Sequence, residues 1–274
     1  MIPAVIAVWQ QWLGPAASRH AVRPLDPTAD AATAAAAKAT LTASLGRDAH
    51  SLQYAATPEG ARALAEDMAA VNLDRAARRP AGSPPPLFFV TDGERGVLLA
   101  FRCPDEQPSY GSVSAFLRHA KLSYWLQGVR DEMAVRRCAA EFRRQHPRYI
   151  HLLQLAVHPA RQGKGLGSRL LRHLTRLADR EGLPLYLEAS NPRNRALYLQ
   201  HGFTDFQTVQ ASGGTPYYAM ARLPRGSKLQ NEQQQQTLWT KSAGHGSRAW
   251  STFYTSRTTF YAAPPLCLLP TSSA

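Results

Sequence analysis

The stretch HPARQGKGLGSRLL, residues His158 to Leu171, sets Gly163, Gly165 and Gly167 at alternate positions and runs directly into a leucine-rich segment. The mostly apolar YIHLLQLAV just before it reads as a buried strand. Strand, glycine turn, helix is an anion site for a physical reason. The first amides of a helix have no intrahelical acceptor, and the helix dipole places about half a positive charge there. Glycines let an anion's oxygens approach the backbone with no Cβ in the way. Two nucleotide patterns fail on spacing. A Walker loop needs GK followed by Ser or Thr, whereas Lys164 is followed by Gly165. A GxGxxG fingerprint meets Leu170 when started at Gly165 and Ser168 when started at Gly163. The spacing that fits is Q-x-x-G-x-G, on Gln162, Gly165 and Gly167.

Outward from the loop the chain alternates strand and helix signals. GSRLLRHLTRLADREG puts Leu166, Leu170, Leu171, Leu174 and Leu177 on one face and arginines mainly on the other, and Gly182 ends it. LPLYLEA reads as a strand, NRALYLQH as a short helix stopped by Gly202, and PYYAMARL as a last strand. Upstream, PLFFVTDGERGVLLAF is a hairpin about Asp92-Gly93, and residues 112–146 suggest one or two amphipathic helices. The alanine run ADAATAAAAKAT predicts a surface helix over about 27–45, capped by Asp26 or Thr28. The pattern predicts an α/β or α+β sheet domain over residues 20–225. Residues 1–19 read as an N-terminal extension, frayed or else a transit peptide, because residues 1–25 lack any acid and carry Arg19 and Arg23. Residues 226–274, with NEQQQQ and no apolar period, read as a disordered tail.

The chain has 274 residues, 44% of them hydrophobic, and a formal charge of +13. That suits a globular domain with an anionic partner. Cys103, Cys138 and Cys267 are odd in number and lack CxxC spacing, which argues for a reducing, cytoplasmic setting and against a disulfide framework or a zinc site; no metal is expected. No stretch approaches the roughly 18 apolar residues of a membrane span.

A second block, LYLEASNPRNRALYLQHGF at residues 185–203, starts about twenty residues after the first glycines and ends in Tyr198, Gly202 and Phe203. Together the two blocks resemble the GNAT N-acetyltransferases, and QGKGLGS with the LEASNPRN link looks most like the puromycin N-acetyltransferase branch. The resemblance is convincing over residues 149–223 and rests on pattern alone upstream, where AVRPLDPTADAATAA resembles the family's first strand and helix. It implies the GNAT fold, a mixed and mostly antiparallel central sheet flanked by helices, with acetyl-CoA as co-substrate and an amine attacking the thioester directly.

Residue by residue, the resemblance gives the pyrophosphate to the amides of Gln162, Gly163, Lys164, Gly165, Leu166, Gly167 and Ser168, with Lys164 and Arg161 adding charge. It gives the pantetheine arm to the backbone of Leu155, Ala156 and Val157, where the family's strands part. Tyr198 stands where the family places the acid that protonates the leaving thiolate, and a phenol titrating near 10 can protonate a thiolate of pKa about 8.5. Asn191 and Asn194 flank the helix start. Asn194 is an ordinary N-cap by position, and in the family an asparagine hereabouts also touches the cofactor arm. Glu188, beside the splay, is the candidate base, though a strand residue in that alternation could equally face solvent or pair with an arginine. His151 and His158 compete with it on intrinsic pKa.

The cofactor motifs do not name the amine; a small-molecule primary amine is the expected acceptor because no protein-binding module accompanies the domain, with a protein or peptide amine as the alternative. Its site is expected among the first helices and the loops at 45–85 and 104–148. A basic nucleic-acid binder is the rival from another class, on Arg136, Arg137, Arg143, Arg144 and the RAARR run. No helix-turn-helix, zinc-finger or RNP pattern accompanies these arginines.

Overall fold

The computed structural model describes residues 21–80, 83–122, 125–210 and 216–226. The expected N-terminal extension and the expected tail from residue 227 onward lie outside them. Strand β1 (Arg23–Pro24) leads to helices α1 (Ala31–Leu45), α2 (Ala49–Tyr54) and α3 (Pro58–Ala77). The hairpin β2 (Leu87–Thr91) and β3 (Gly96–Cys103) follows, then α4 (Val113–His119) and α5 (Trp125–Gln145). The second half is β4 (Tyr149–Val157), a 3₁₀ turn at Pro159–Arg161, α6 (Leu166–Glu181), β5 (Leu185–Ala189), α7 (Pro192–Gln200), β6 (Thr204–Val209) and β7 (Tyr217–Arg222). The described strands form one seven-stranded sheet in the order β1-β2-β3-β4-β5-β7-β6, antiparallel except for β4 with β5.

Strand residues alternate between two cores. Phe88, Val97, Leu99, Phe101, Tyr149, Ala156 and Tyr186 face α1, α3 and α5, where Ala37, Leu41, Leu73 and Phe142 are buried. Leu98, Ala100, Ile150, Leu152, Leu185 and Leu187 face Leu170, Leu171 and Leu174 of α6 and Tyr198 of α7. One irregularity matters for function. Leu99 of β3 pairs with Gln154 while Ala100 pairs with Leu152, so Leu153 is an extra residue in β4 and the alternation shifts there.

Two expectations are corrected. The alanine helix begins at Ala31, because Asp26 is spent in a turn onto Thr28 and Asp30 caps instead, accepting from the Thr33 amide at 2.9 Å. It is a surface helix packed on one face, with Ala37 and Leu41 wholly buried and Ala31, Ala32, Ala35 and Ala39 exposed. Asn194 is not the cap of α7: Asn191 is, its Oδ1 accepting from the Asn194 amide at 2.8 Å, with Pro192 fixing the first turn. Three elements without a sequence expectation are also present, α2, α3 and β6.

The end of α6 is tied to the last strand by a half-buried ion pair. Both terminal nitrogens of Arg222 donate to the Asp179 carboxylate at 2.8 Å, and Asp179 also accepts from the Arg225 amide. Burial opposes ionisation of Asp179, but these bonds outweigh it and hold the carboxyl below its usual range. Arg222 is only 6% exposed, so Asp179→Ala leaves a buried guanidinium without its partner. The variant is expected to lose about 3 kcal/mol in urea titration. A loss under about 0.5 kcal/mol would show that water replaces the carboxylate.

Candidate active site

The site is made by a parting of strands. β4 and β5 pair only at Ile150–Leu185 and His151–Tyr186. Beyond His151, β4 keeps its β3 partners through Val157–Gly96, while β5 keeps β7 through Ala189–Tyr218. Among the described residues, the edge of Leu155, Ala156 and Val157 that would face β5 therefore has no strand beside it. Backbone groups on that edge are free to bond an extended ligand in place of a strand. Ala156 points into the α1 core, and Leu155 and Val157 are half-buried on the α6 side.

The glycine loop closes the mouth of this gap. Gly163 and Gly165 take left-handed φ values of 78° and 74°, and a Cβ at either would meet nothing within 4 Å. The space before the loop is open, as a phosphate cradle requires. The first helical bond of α6 runs from the Arg169 amide to Gly165, and among the described residues no acceptor takes the amides of Gly163, Lys164, Gly165, Leu166, Gly167 or Ser168. Gly167 lies against the gap itself, where a Cβ would touch Val157 and Leu197 at 3.7 and 3.9 Å.

The flanking residues need correcting. The Gln162 amide is already turned to the Pro159 carbonyl at 3.4 Å, and its side chain donates to the Val157 carbonyl at 3.2 Å. Gln162 thus ties the loop to the end of β4, and the open amides begin one residue later. Arg161 pairs with Asp92 of the hairpin turn at 3.3 Å, so its charge is largely answered within the protein. Lys164 is exposed. His158 caps the 3₁₀ turn, Nδ1 accepting from the Ala160 amide.

Tyr198 lies on the α6 side of the gap, 8% exposed, its ring edge-on to Phe203. Its hydroxyl has no hydrogen bond to a described residue. Burial, and then the charge of Asp48, pushes the phenol well above its usual range, so it keeps its proton at neutral pH. Asp48 gave no signal in the sequence. It follows α1, accepts from the Ser190 hydroxyl at 2.9 Å, and also accepts from Asn191. The side-chain amide of Asn194 donates to the same hydroxyl, so both asparagines are held in one network beside the gap.

Glu188 lies on the opposite face. It neither faces solvent nor pairs with an arginine: its Oε2 is 2.9 Å from His151 Nε2, and both side chains are nearly buried. The two competing bases are therefore one pair. Glu188 Oε1 is buried without a hydrogen bond, as are both amide atoms of Gln154, the residue after the extra position in β4. Orphaned polar atoms beside an open strand edge fit a polar ligand such as the cofactor arm and its acceptor.

Burial opposes a charged His151 ring, but the Glu188 carboxylate outweighs it, with help from the Cys103 thiol, and raises the ring from 6.5 to about 9. A raised folded-state value means that the stabilisation is complete below about pH 6.5 and lost as pH climbs to about 9. The melting temperature should fall over that interval, and fall less in His151→Gln, whose side-chain amide can still donate to Glu188. Parallel profiles for the two proteins would refute the charged pair.

With the geometry in hand, comparison with known proteins is informative. Residues 91–203 match the model of the Acetyltransferase (GNAT) family. The C-terminal condensation domain of Ebony, solved with beta-alanyl-dopamine, superposes with a TM-score of 0.52 at 13% identity, covering 74% of this chain and 98% of that one. The fold is the GNAT fold. Two curated proteins share segments with it. An uncharacterized N-acetyltransferase of Schizosaccharomyces pombe is 37% identical over 59 residues, 22% of this chain and 24% of that protein. A mycothiol acetyltransferase of Jonesia denitrificans is 45% identical over 65 residues, 23% of this chain and 21% of the other. The matched stretch thus spans about a quarter of either relative. Among the described residues, no helix is long and apolar enough to cross a membrane.

Proposed function

We propose that the chain is an acetyl-CoA-dependent N-acetyltransferase that moves the acetyl group directly to a primary amine of a small molecule. The observation that carries this reading is the gap between β4 and β5, with open amides at its mouth, Tyr198 on one face and the Glu188–His151 pair on the other. Acetyl-CoA supplies the activated acetyl group and the thiolate leaving group when bound. The amides from Gly163 to Ser168 hold its pyrophosphate, with the exposed Lys164 nearby, and the backbone of Leu155 to Val157 pairs with its arm. A main-chain N–H on that edge bonds the developing oxyanion. Glu188 takes the proton that the attacking amine loses, and Tyr198 gives one to the departing sulfur. Placing the two on opposite faces lets the amine enter from one side while the thiolate leaves on the other.

A cavity of about 470 Å³ reaches His151, on the Glu188 face. Its size suits a metabolite better than a protein segment. The likeness to the puromycin branch concerns the cofactor loop and the link before α7, so it assigns no particular amine.

The test is thiol release from acetyl-CoA with a pool of small primary amines, and separately with peptides bearing free N-termini or lysines. Release with the pool and little with the peptides is expected. Faster release with peptides would move the acceptor to the protein class.

A further inference from the structure

The same cavity has an unusual wall. It is lined by Tyr149 and His151 of β4, Tyr110 of the loop before α4, Arg75 of α3, and Arg136 and Arg143 of α5, and no lining residue is acidic. Arg143 has no ion pair among the described residues. Among the described residues Arg75 makes one bond, to the Gln107 carbonyl at 3.2 Å. Arg136 gives its Nε to Glu132 at 2.6 Å and lies 5.8 Å over the Tyr110 ring, which leaves its terminal nitrogens open.

The wall is also built in advance. The buried Asn72 side chain donates to the Ser109 carbonyl at 2.7 Å and accepts from the Ser109 amide at 2.9 Å. It acts on the loop as a neighbouring strand would, and so fixes Tyr110 against the cavity. These arginines do not serve the cofactor's pyrophosphate. The glycine loop follows the far end of β4, roughly 25 Å from Tyr149 at about 3.3 Å per strand residue.

We propose that the acceptor amine carries an anionic group, a carboxylate or a phosphate, which Arg75, Arg136 and Arg143 receive while the nitrogen reaches past His151 toward Glu188. The inference rests on the acetyltransferase reading given above. Guanidinium groups bind both anions by paired N–H bonds, and several of them together repel a purely cationic acceptor such as a diamine.

The test uses the full chain and matched pairs: lysine against cadaverine, and phosphoethanolamine against ethanolamine. Thiol release gives kcat/KM, and calorimetry on the CoA-loaded protein gives affinity. The anionic member should be preferred by roughly tenfold or more in each pair, mainly through KM, and the preference should shrink as salt is added. The double variant Arg75→Gln, Arg143→Gln should bring each pair to within about threefold, with its affinity for CoA as the check on folding. Equal or better use of cadaverine and ethanolamine, or an unchanged preference in the variant, overturns the proposal. If no amine is acetylated, the acetyltransferase reading fails. Calorimetry still decides the pocket, since lysine and phosphoethanolamine must then bind the wild type more tightly than the variant. Failure of both to bind the wild type also overturns it.

Discussion

Gly165→Val should lower the affinity for acetyl-CoA by at least about a hundredfold, because losing two charge-assisted hydrogen bonds of about 1.5–3 kcal/mol each suffices for that. Gly165 holds φ 74° at the start of α6, and the space beyond its Cα is clear of protein atoms. A branched side chain there occupies the volume a phosphate needs and disfavours the left-handed turn that aims the amides outward. The turn's own strain can be separated from the lost contact. Gly182, at the other end of α6, has φ 65° and equally clear surroundings. Gly182→Val therefore carries comparable backbone strain about 24 Å away, at 1.5 Å per helical residue. It should lower the melting temperature while leaving acetyl-CoA affinity within about twofold. Equal loss of affinity in both variants would mean that helix strain, not phosphate contact, is being measured.

Tyr198→Phe should bind acetyl-CoA normally and transfer its acetyl group about 10²–10⁴-fold more slowly, the usual consequence of removing one general acid. The substitution keeps the ring against Phe203. It removes a hydroxyl that bonds no described residue, so no buried partner is orphaned and stability should hold within about 0.5 kcal/mol. Calorimetry, urea titration and single-turnover kinetics separate the three effects. Unchanged turnover, with chemistry shown to limit the rate, would return Tyr198 to the core as an ordinary packing residue.

The glycine loop of the candidate site was legible because its signals are local. Gly163, Gly165 and Gly167 are needed for backbone shape, and their spacing is visible within six residues. Leucines at helical intervals and the Asp92-Gly93 turn were legible for the same reason. The long helix α3 was missed although Thr57, Pro58 and Glu59 form a cap, a first-turn proline and a first-turn acid in order. Its buried face is Ala61, Ala65, Ala69 and Ala76, which carries little hydropathy contrast. Strand β6 was missed because TDFQTV is an edge strand exposed over most of its length and has no apolar run. The rest of the candidate site was hidden because it is assembled from distant segments. Asp48 meets Ser190, Asn72 meets Ser109, and His151 meets Glu188 only through the tertiary fold. The extra residue at Leu153 explains why strand alternation alone could not orient Gln154.

The most direct measurement follows the acetyl group itself. The full chain is mixed with isotopically labelled acetyl-CoA, and intact-protein and small-molecule masses are recorded before and after adding a mixed pool of primary amines. Without amine, the protein mass should stay unchanged, because no side chain takes the acetyl group on the way. With amine, labelled N-acetyl product and free CoA should appear one for one. Labelled acetyl-CoA recovered intact with every amine, from a protein shown to be folded, or label found on the protein before any amine is added, would contradict direct transfer at this site.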